Sequence, residues 1–208
     1  MKIEYRNYFS NFVIPKEKAE LLDEYLVCYV DEATGLPKRI YTVLEGRVDG
    51  IDYYLEPGEN EAEIAKLYVE GVSVRERMEE VQGLVIERGR YYVKGELVSV
   101  GDVVRDMYGN TICIQPLDKA TLKPLFKRTT KYFYNYDDYS EEWGYPRIIA
   151  AEYNEDGSLD DIRWSPTPGE EQNDECYDSG GFNVLQAQFT KDLSYYLTAH
   201  LLPVEKRH

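Results

Sequence analysis

Short apolar runs broken by glycine set the strongest limit on what this chain can fold into. Between Leu84 and Gln115 stand Leu84-Val85-Ile86, Tyr91-Tyr92-Val93, Leu97-Val98-Ser99-Val100 and Thr111-Ile112-Cys113-Ile114. Gly89, Gly95, Gly101 and the pair Gly109-Asn110 separate them. Each run is too short for a globular helix and is rich in β-branched or aromatic residues, so the stretch reads as a strand meander. Two hairpins join it. Val27–Val30 and Arg39–Val43 flank the turn Asp31-Glu32-Ala33-Thr34-Gly35, and Arg147–Tyr153 and Leu159–Trp164 flank Asn154-Glu155-Asp156-Gly157. Asp-Gly signals a tight turn because glycine takes the positive φ that such turns require. A further strand is expected from Gly50 to Leu55. The stretches Cys28–Tyr41 and Glu152–Trp164 share a strand–acidic turn–strand outline, but any two hairpins would, and no repeat architecture follows.

Helical signals fall between these strands. Pro15 opens a segment to Leu26 with Ala19, Leu22, Tyr25 and Leu26 at helical spacing. Asn60 followed by Glu63 marks a helix start ahead of Ile64, Ala65, Leu67 and Tyr68, with Gly71 as its stop. Ser73 with Glu76 predicts another short helix through Met78 and Val81. Leu185, Phe189, Leu193, Leu197 and Leu201 recur every four residues, which predicts an amphipathic helix ended by Pro203. The expected fold is therefore α+β: an antiparallel sheet built from several hairpins, with about four helices. One domain over residues 1–208 is expected, with any subdivision near 118–131, where Lys119, Lys123, Lys127, Arg128 and Lys131 form a basic connector.

Charge narrows the function classes. The chain of 208 residues has 39 acids against 24 bases, a net charge of −15. Phosphate backbones and anionic lipid surfaces are bound by clustered Lys and Arg, so neither nucleic acid nor a membrane is an expected partner. Cys28, Cys113 and Cys176 are odd in number and contain no CxxC pair, which suits a reducing compartment and excludes a disulfide framework. The first residues lack the apolar stretch of a secretion signal, and no window approaches the roughly 18–20 apolar residues of a spanning helix. A cytoplasmic location is expected.

Chemical motifs are sparse. His200 is the one internal histidine, and there is no GxSxG elbow for a triad. Cys113 between Ile112 and Ile114 reads as an inert buried thiol, and acids around Cys176 blunt its nucleophilicity. No phosphate-cradling glycine motif precedes a helix; Gly180-Gly181 reads as a helix entrance. Glu170, Glu171, Asp174, Glu175 and Asp178 offer hard oxygen ligands, but their spacing does not match a calcium loop, so a solvated acidic loop is the simpler reading. No catalytic, cofactor-binding or metal-binding residue is assigned.

Residues 132–180 stand apart. They carry 14 of the 39 acids in under a quarter of the length. At their start lies Tyr132-Phe133-Tyr134-Asn135-Tyr136-Asp137-Asp138-Tyr139-Ser140-Glu141-Glu142-Trp143. One strand through 132–136 would send Tyr132, Tyr134 and Tyr136 to a single packed face. Alternatively, tyrosine and tryptophan supply rigid interface anchors, and acids among them steer and pair with a basic partner. On that reading Tyr134, Tyr136, Tyr139 and Trp143 are anchors, and Asp137, Asp138, Glu141 and Glu142 meet the partner's cations. The expected function is a non-catalytic acidic protein that sequesters a basic protein, such as the immunity protein of a toxin–immunity pair. Other classes compete with it. The acids and rings could instead line the cleft of a carboxylate-dependent enzyme or a carbohydrate-binding module, or the tyrosine-rich faces could form a homodimeric scaffold.

Overall fold

A computed structural model describes residues 1–140, 144–166 and 174–202. In chain order its elements are β1 (Lys2–Asn7), β2 (Val13–Ile14), α1 (Lys16–Ala19), β3 (Glu24–Val30), β4 (Pro37–Leu44), β5 (Arg47–Tyr54), α2 (Glu61–Leu67) and β6 (Val72–Val81). There follow β7 (Leu84–Val93), β8 (Glu96–Arg105), β9 (Thr111–Leu117), β10 (Thr130–Tyr134), β11 (Arg147–Tyr153), β12 (Leu159–Trp164), β13 (Glu175–Tyr177) and α3 (Phe182–Gln186). The strands hydrogen-bond in the order β13-β12-β11-β10-β9-β8-β7-β6-β5-β4-β3-β1-β2. The chain is thus mostly β, and the α+β expectation with about four helices is corrected: the described residues hold three α-helices, of four, seven and five residues.

Each lost helix has a local cause. The segment from Pro15 gives only the single turn α1, because Glu24–Val30 pairs along its length with β1 on one side and β4 on the other. The Ser73/Glu76 pattern loses to β6. Val72 and Val74 alternate inward at 0% exposure, and Ser73, Val74 and Arg75 pair in parallel with Asp52, Tyr53 and Tyr54. The leucine stripe near the C-terminus is cut by Gln186. Its Nε2 donates to the Lys191 carbonyl at 2.9 Å, and its Oε1 accepts from the Leu193 amide at 2.8 Å. That side chain ties off α3, and Ser194–Leu197 forms a separate 3-10 turn. Leu185 and Leu193 remain fully buried, so their spacing reports burial rather than a continuous helix.

Two compact units divide the chain. Met1–Arg77, Arg88–Val100 and Tyr139–Gly144 form the first, and Met78–Glu87, Gly101–Asp138 and Tyr145–His208 the second. In the first, α2 connects the parallel pair β5 and β6, as such a pair requires a crossover. The Asn60 side chain caps α2 by accepting from the Ala62 amide at 3.0 Å. Ile64 on α2 packs with Val72 and Val74, and Ile51, Tyr53, Tyr68 and Tyr92 lie around them. Along the same sheet face, register aligns Tyr5, Val27, Tyr41 and Ile51 in one row and Tyr29, Arg39, Tyr53 and Val74 in the next.

In the second unit, Ile149, Ala151, Tyr153, Leu159 and Ile162 form an apolar sheet face covered by Phe182, Leu185, Leu193, Tyr196 and Ala199. A lysine is buried here at 0% exposure. Lys131 Nζ donates to the carbonyls of Tyr195 and Thr198, each at 2.7 Å, and lies 3.5 Å from the Tyr195 ring centre. Gln115 Nε2 donates to the Ala199 carbonyl at 2.7 Å, and the Tyr196 hydroxyl donates to the Tyr132 carbonyl at 3.0 Å. Buried polar groups are tolerated when they are bonded in this way. Here they fix the C-terminal turns onto β9 and β10.

Candidate functional site

The candidate site lies where β10 ends in the second unit. The Asn135 amide donates to the Pro146 carbonyl at 2.9 Å, and the Asn135 side chain accepts from the Asp137 amide at 3.2 Å. This Asx turn takes the chain out of the sheet, since asparagine offers its own backbone a competing partner. The strand reading of 132–136 therefore holds only as far as Tyr134. Tyr136 lies beyond the strand, and Asp137 and Asp138 after it are exposed.

A second turn meets the first. Between β8 and β9, Asp106 Oδ1 accepts from the amides of Tyr108 at 2.9 Å and Asn110 at 2.8 Å, and Gly109 closes the turn at φ +85°. Tyr108 projects from its tip, half exposed at 51%. The Tyr136 hydroxyl donates to Asp106 Oδ2 at 2.5 Å, linking the two turns. Tyr108, Tyr136 and Tyr145 stand mutually close, with ring centres 5.3 Å (108–136), 5.1 Å (108–145) and 5.2 Å (136–145) apart. Tyr134 lies 6.3 Å from Tyr136, and its hydroxyl donates to the Thr111 carbonyl at 3.0 Å. Phe133 meets Tyr136, Phe189 and Tyr196 edge-on. Burial pushes the Tyr134 hydroxyl up to about 12. Burial first, and the Asp106 carboxylate second, hold the Tyr136 hydroxyl protonated well beyond the ordinary tyrosine range.

The sequence-derived site residues divide accordingly. Tyr134 and Tyr136 come together, but both hydroxyls are occupied within the chain, so what they present outward is ring surface. Asp137 and Asp138 face solvent. Tyr139 is exposed and belongs to the first unit. Glu141, Glu142 and Trp143 lie outside the described residues. Asp106, Tyr108, Tyr145 and Lys191 join the cluster from elsewhere in the sequence. Only the turn signal Gly109-Asn110 pointed towards any of them.

The remaining chemical candidates are weak. Cys28 and Cys113 are fully buried, and burial pushes each thiol up to about 11, which keeps them protonated and unreactive. Cys176 is exposed. Of the acidic loop, Glu170 and Glu171 lie outside the described residues, and among the described residues no group of three or more His, Cys, Asp or Glu is placed to hold a metal ion. Likewise, no helix among them is long and apolar enough to cross a membrane. Compared with protein-family models, curated proteins and solved structures, the chain matches none.

Proposed function

We propose that this chain is a non-catalytic binding protein that holds a basic protein partner, in the manner of an immunity protein that holds a toxin. The observation that carries this reading is the packing of the Tyr108, Tyr136 and Tyr145 rings where the chain runs directly on from Tyr136 into the exposed pair Asp137–Asp138. A ring held by an internal hydrogen bond, as Tyr136 is by Asp106, loses little entropy on binding, and tyrosine is enriched among interface hot spots. Exposed carboxylates next to such rings attract and orient cationic groups, and the net charge of −15 adds long-range attraction. The function needs no nucleophile, base or metal.

The test begins with capture of basic proteins by the whole chain at low salt, followed by stopped-flow association with the protein captured. Double charge reversal, Asp137→Lys with Asp138→Lys, is expected to slow association and flatten its salt dependence, with a smaller effect on dissociation. Unchanged association at low salt would remove this surface from the reading. Failure to capture any basic protein would remove the reading itself.

A further inference from the structure

The aromatic cluster already holds a cation. Lys191 Nζ lies 5.3 Å from the Tyr136 ring centre and 5.6 Å from that of Phe133, within the range where an ammonium is drawn to a π face. The residue is solvent-exposed, and among the described residues no carboxylate forms an ion pair with it. Its backbone is fixed instead, since the Lys191 carbonyl accepts from Gln186 Nε2. An exposed ammonium with no carboxylate partner among the described residues therefore rests over two rings. Those rings are rigid: Tyr136 is tied to Asp106, and Phe133 is wedged among Tyr136, Phe189 and Tyr196.

We infer that Phe133 and Tyr136, with Tyr108 and Tyr145 packed against Tyr136, form a receptor for one cationic side chain of the basic partner, and that Lys191 is its internal stand-in. This rests on the proposed function and names the chemistry of its contact. The partner's arginine or lysine displaces Lys191 from the rings. Lys191 swings into solvent as it does so. An arginine fits better than a lysine, because its planar guanidinium stacks on aromatic faces. Lys191 is thus a competitor that weakens capture of stray cations. Only a partner that brings further contacts overcomes it.

The experiment uses the full chain and a small probe, so that it does not depend on finding the partner. Acetyl-glycyl-arginyl-glycinamide is titrated while aromatic side-chain NMR signals are followed, with the citrulline peptide as the neutral isostere. The expected result is saturable shifts on Phe133 and Tyr136, none with citrulline, and binding about two- to fivefold tighter in Lys191→Met, the weight of one exposed cation–π contact. Tyr136→Leu is expected to abolish the shifts, and a folded spectrum of Tyr136→Leu itself guards against a folding artefact. Equal or weaker binding by Lys191→Met, equal binding of citrulline, or shifts confined to other rings would overturn the receptor. Peptide binding by a chain that captures no basic protein would keep the receptor and sink the proposed function. Capture of a basic protein with no peptide shifts would do the reverse.

Discussion

Replacing Tyr136 by phenylalanine separates two roles that this residue could play. If the hydroxyl were a free handle for a partner, its removal would leave the folded chain untouched. The structure places it instead against Asp106 Oδ2 at 2.5 Å. A hydrogen bond to an ionised acceptor contributes about 1.5–3 kcal/mol. Two facts move the expected loss to the low end. Tyr136 and Asp106 are only half-buried, and Asp106 keeps three other donors: the amides of Tyr108 and Asn110 and the Asn110 side chain. Tyr136→Phe should therefore cost about 1–2 kcal/mol. The ring contacts to Tyr108, Tyr145, Tyr134 and Phe133 survive in that variant. Tyr136→Leu removes them as well; each aromatic pair adds about 0.5–1.5 kcal/mol, so the total loss should reach about 3–5 kcal/mol. Urea unfolding followed by tryptophan fluorescence reads both, since Trp164 packs on Phe189, which in turn packs on Phe133. Hydrogen exchange should speed up in the 106–110 turn of Tyr136→Phe. A Tyr136→Phe variant within about 0.3 kcal/mol of the parent, with unchanged exchange in that turn, would refute the linkage between the two turns.

Two further outcomes are expected. Burial, followed for the first two by hydrogen bonds to Glu59 and Glu61, pushes the hydroxyls of Tyr53, Tyr92 and Tyr134 up to about 12. The unfolded chain releases these protons near pH 10 while the folded chain keeps them, so stability is fully present below about pH 10 and is lost as pH rises towards 12; an ultraviolet titration in which every tyrosine ionises near pH 10 with the fold intact would contradict this. Lys131→Met strands the half-buried Tyr195 and Thr198 carbonyls and should cost about 2–4 kcal/mol despite the recovered cost of burying a charge, whereas a stabilised variant in thermal unfolding would show that desolvation of the ammonium outweighs its two bonds.

How legible the fold was in the sequence depended on whether a local signal coincided with its tertiary consequence. The hairpin from β11 to β12 was readable because Gly157 takes φ +84° where Asp156-Gly157 predicts a turn. The helix α2 was readable because Asn60 caps it as the pattern requires. Elsewhere the two diverged. Gly89 and Gly101 look like breaks but sit inside the ten-residue strands β7 and β8. Gly101 is explained by crowding: a Cβ there would stand 3.1 Å from the Gln115 carbonyl oxygen. Four-residue leucine spacing suggests a helix, yet the same leucines reach the core from α3 and from a separate turn. The site was half legible for a related reason. Tyr134, Tyr136, Asp137 and Asp138 are neighbours in sequence. Asp106 and Lys191, which fix and occupy the cluster, come from distant segments that only strand pairing and the Gln186 tie bring in.

The 20 tyrosines in this chain follow from the sheet more than from any partner. A half-buried sheet face favours side chains with an apolar body and a polar tip, and tyrosine supplies both together with high strand propensity. In the first unit Tyr29 and Tyr41 meet across strands at 5.5 Å, Tyr5 and Tyr25 at 6.4 Å, and Arg39 lies 4.9 Å from the Tyr29 ring centre. These are cross-strand pairs of the kind that stabilise any sheet. Ring number therefore cannot mark a binding site here, and neither can total acidity. What distinguishes the end of β10 is a combination that sheet stability does not require. Tyr136, Tyr108 and Tyr145 sit outside the strands, the Tyr134 and Tyr136 hydroxyls are engaged internally, the next two residues, Asp137 and Asp138, face water, and a lysine with no carboxylate partner among the described residues rests on Tyr136 and Phe133. Exposed cation–π contacts also occur on ordinary sheet faces, as Arg39 on Tyr29 shows, so the Lys191 contact alone supports the cation receptor and Lys191→Met is the variant that tests it.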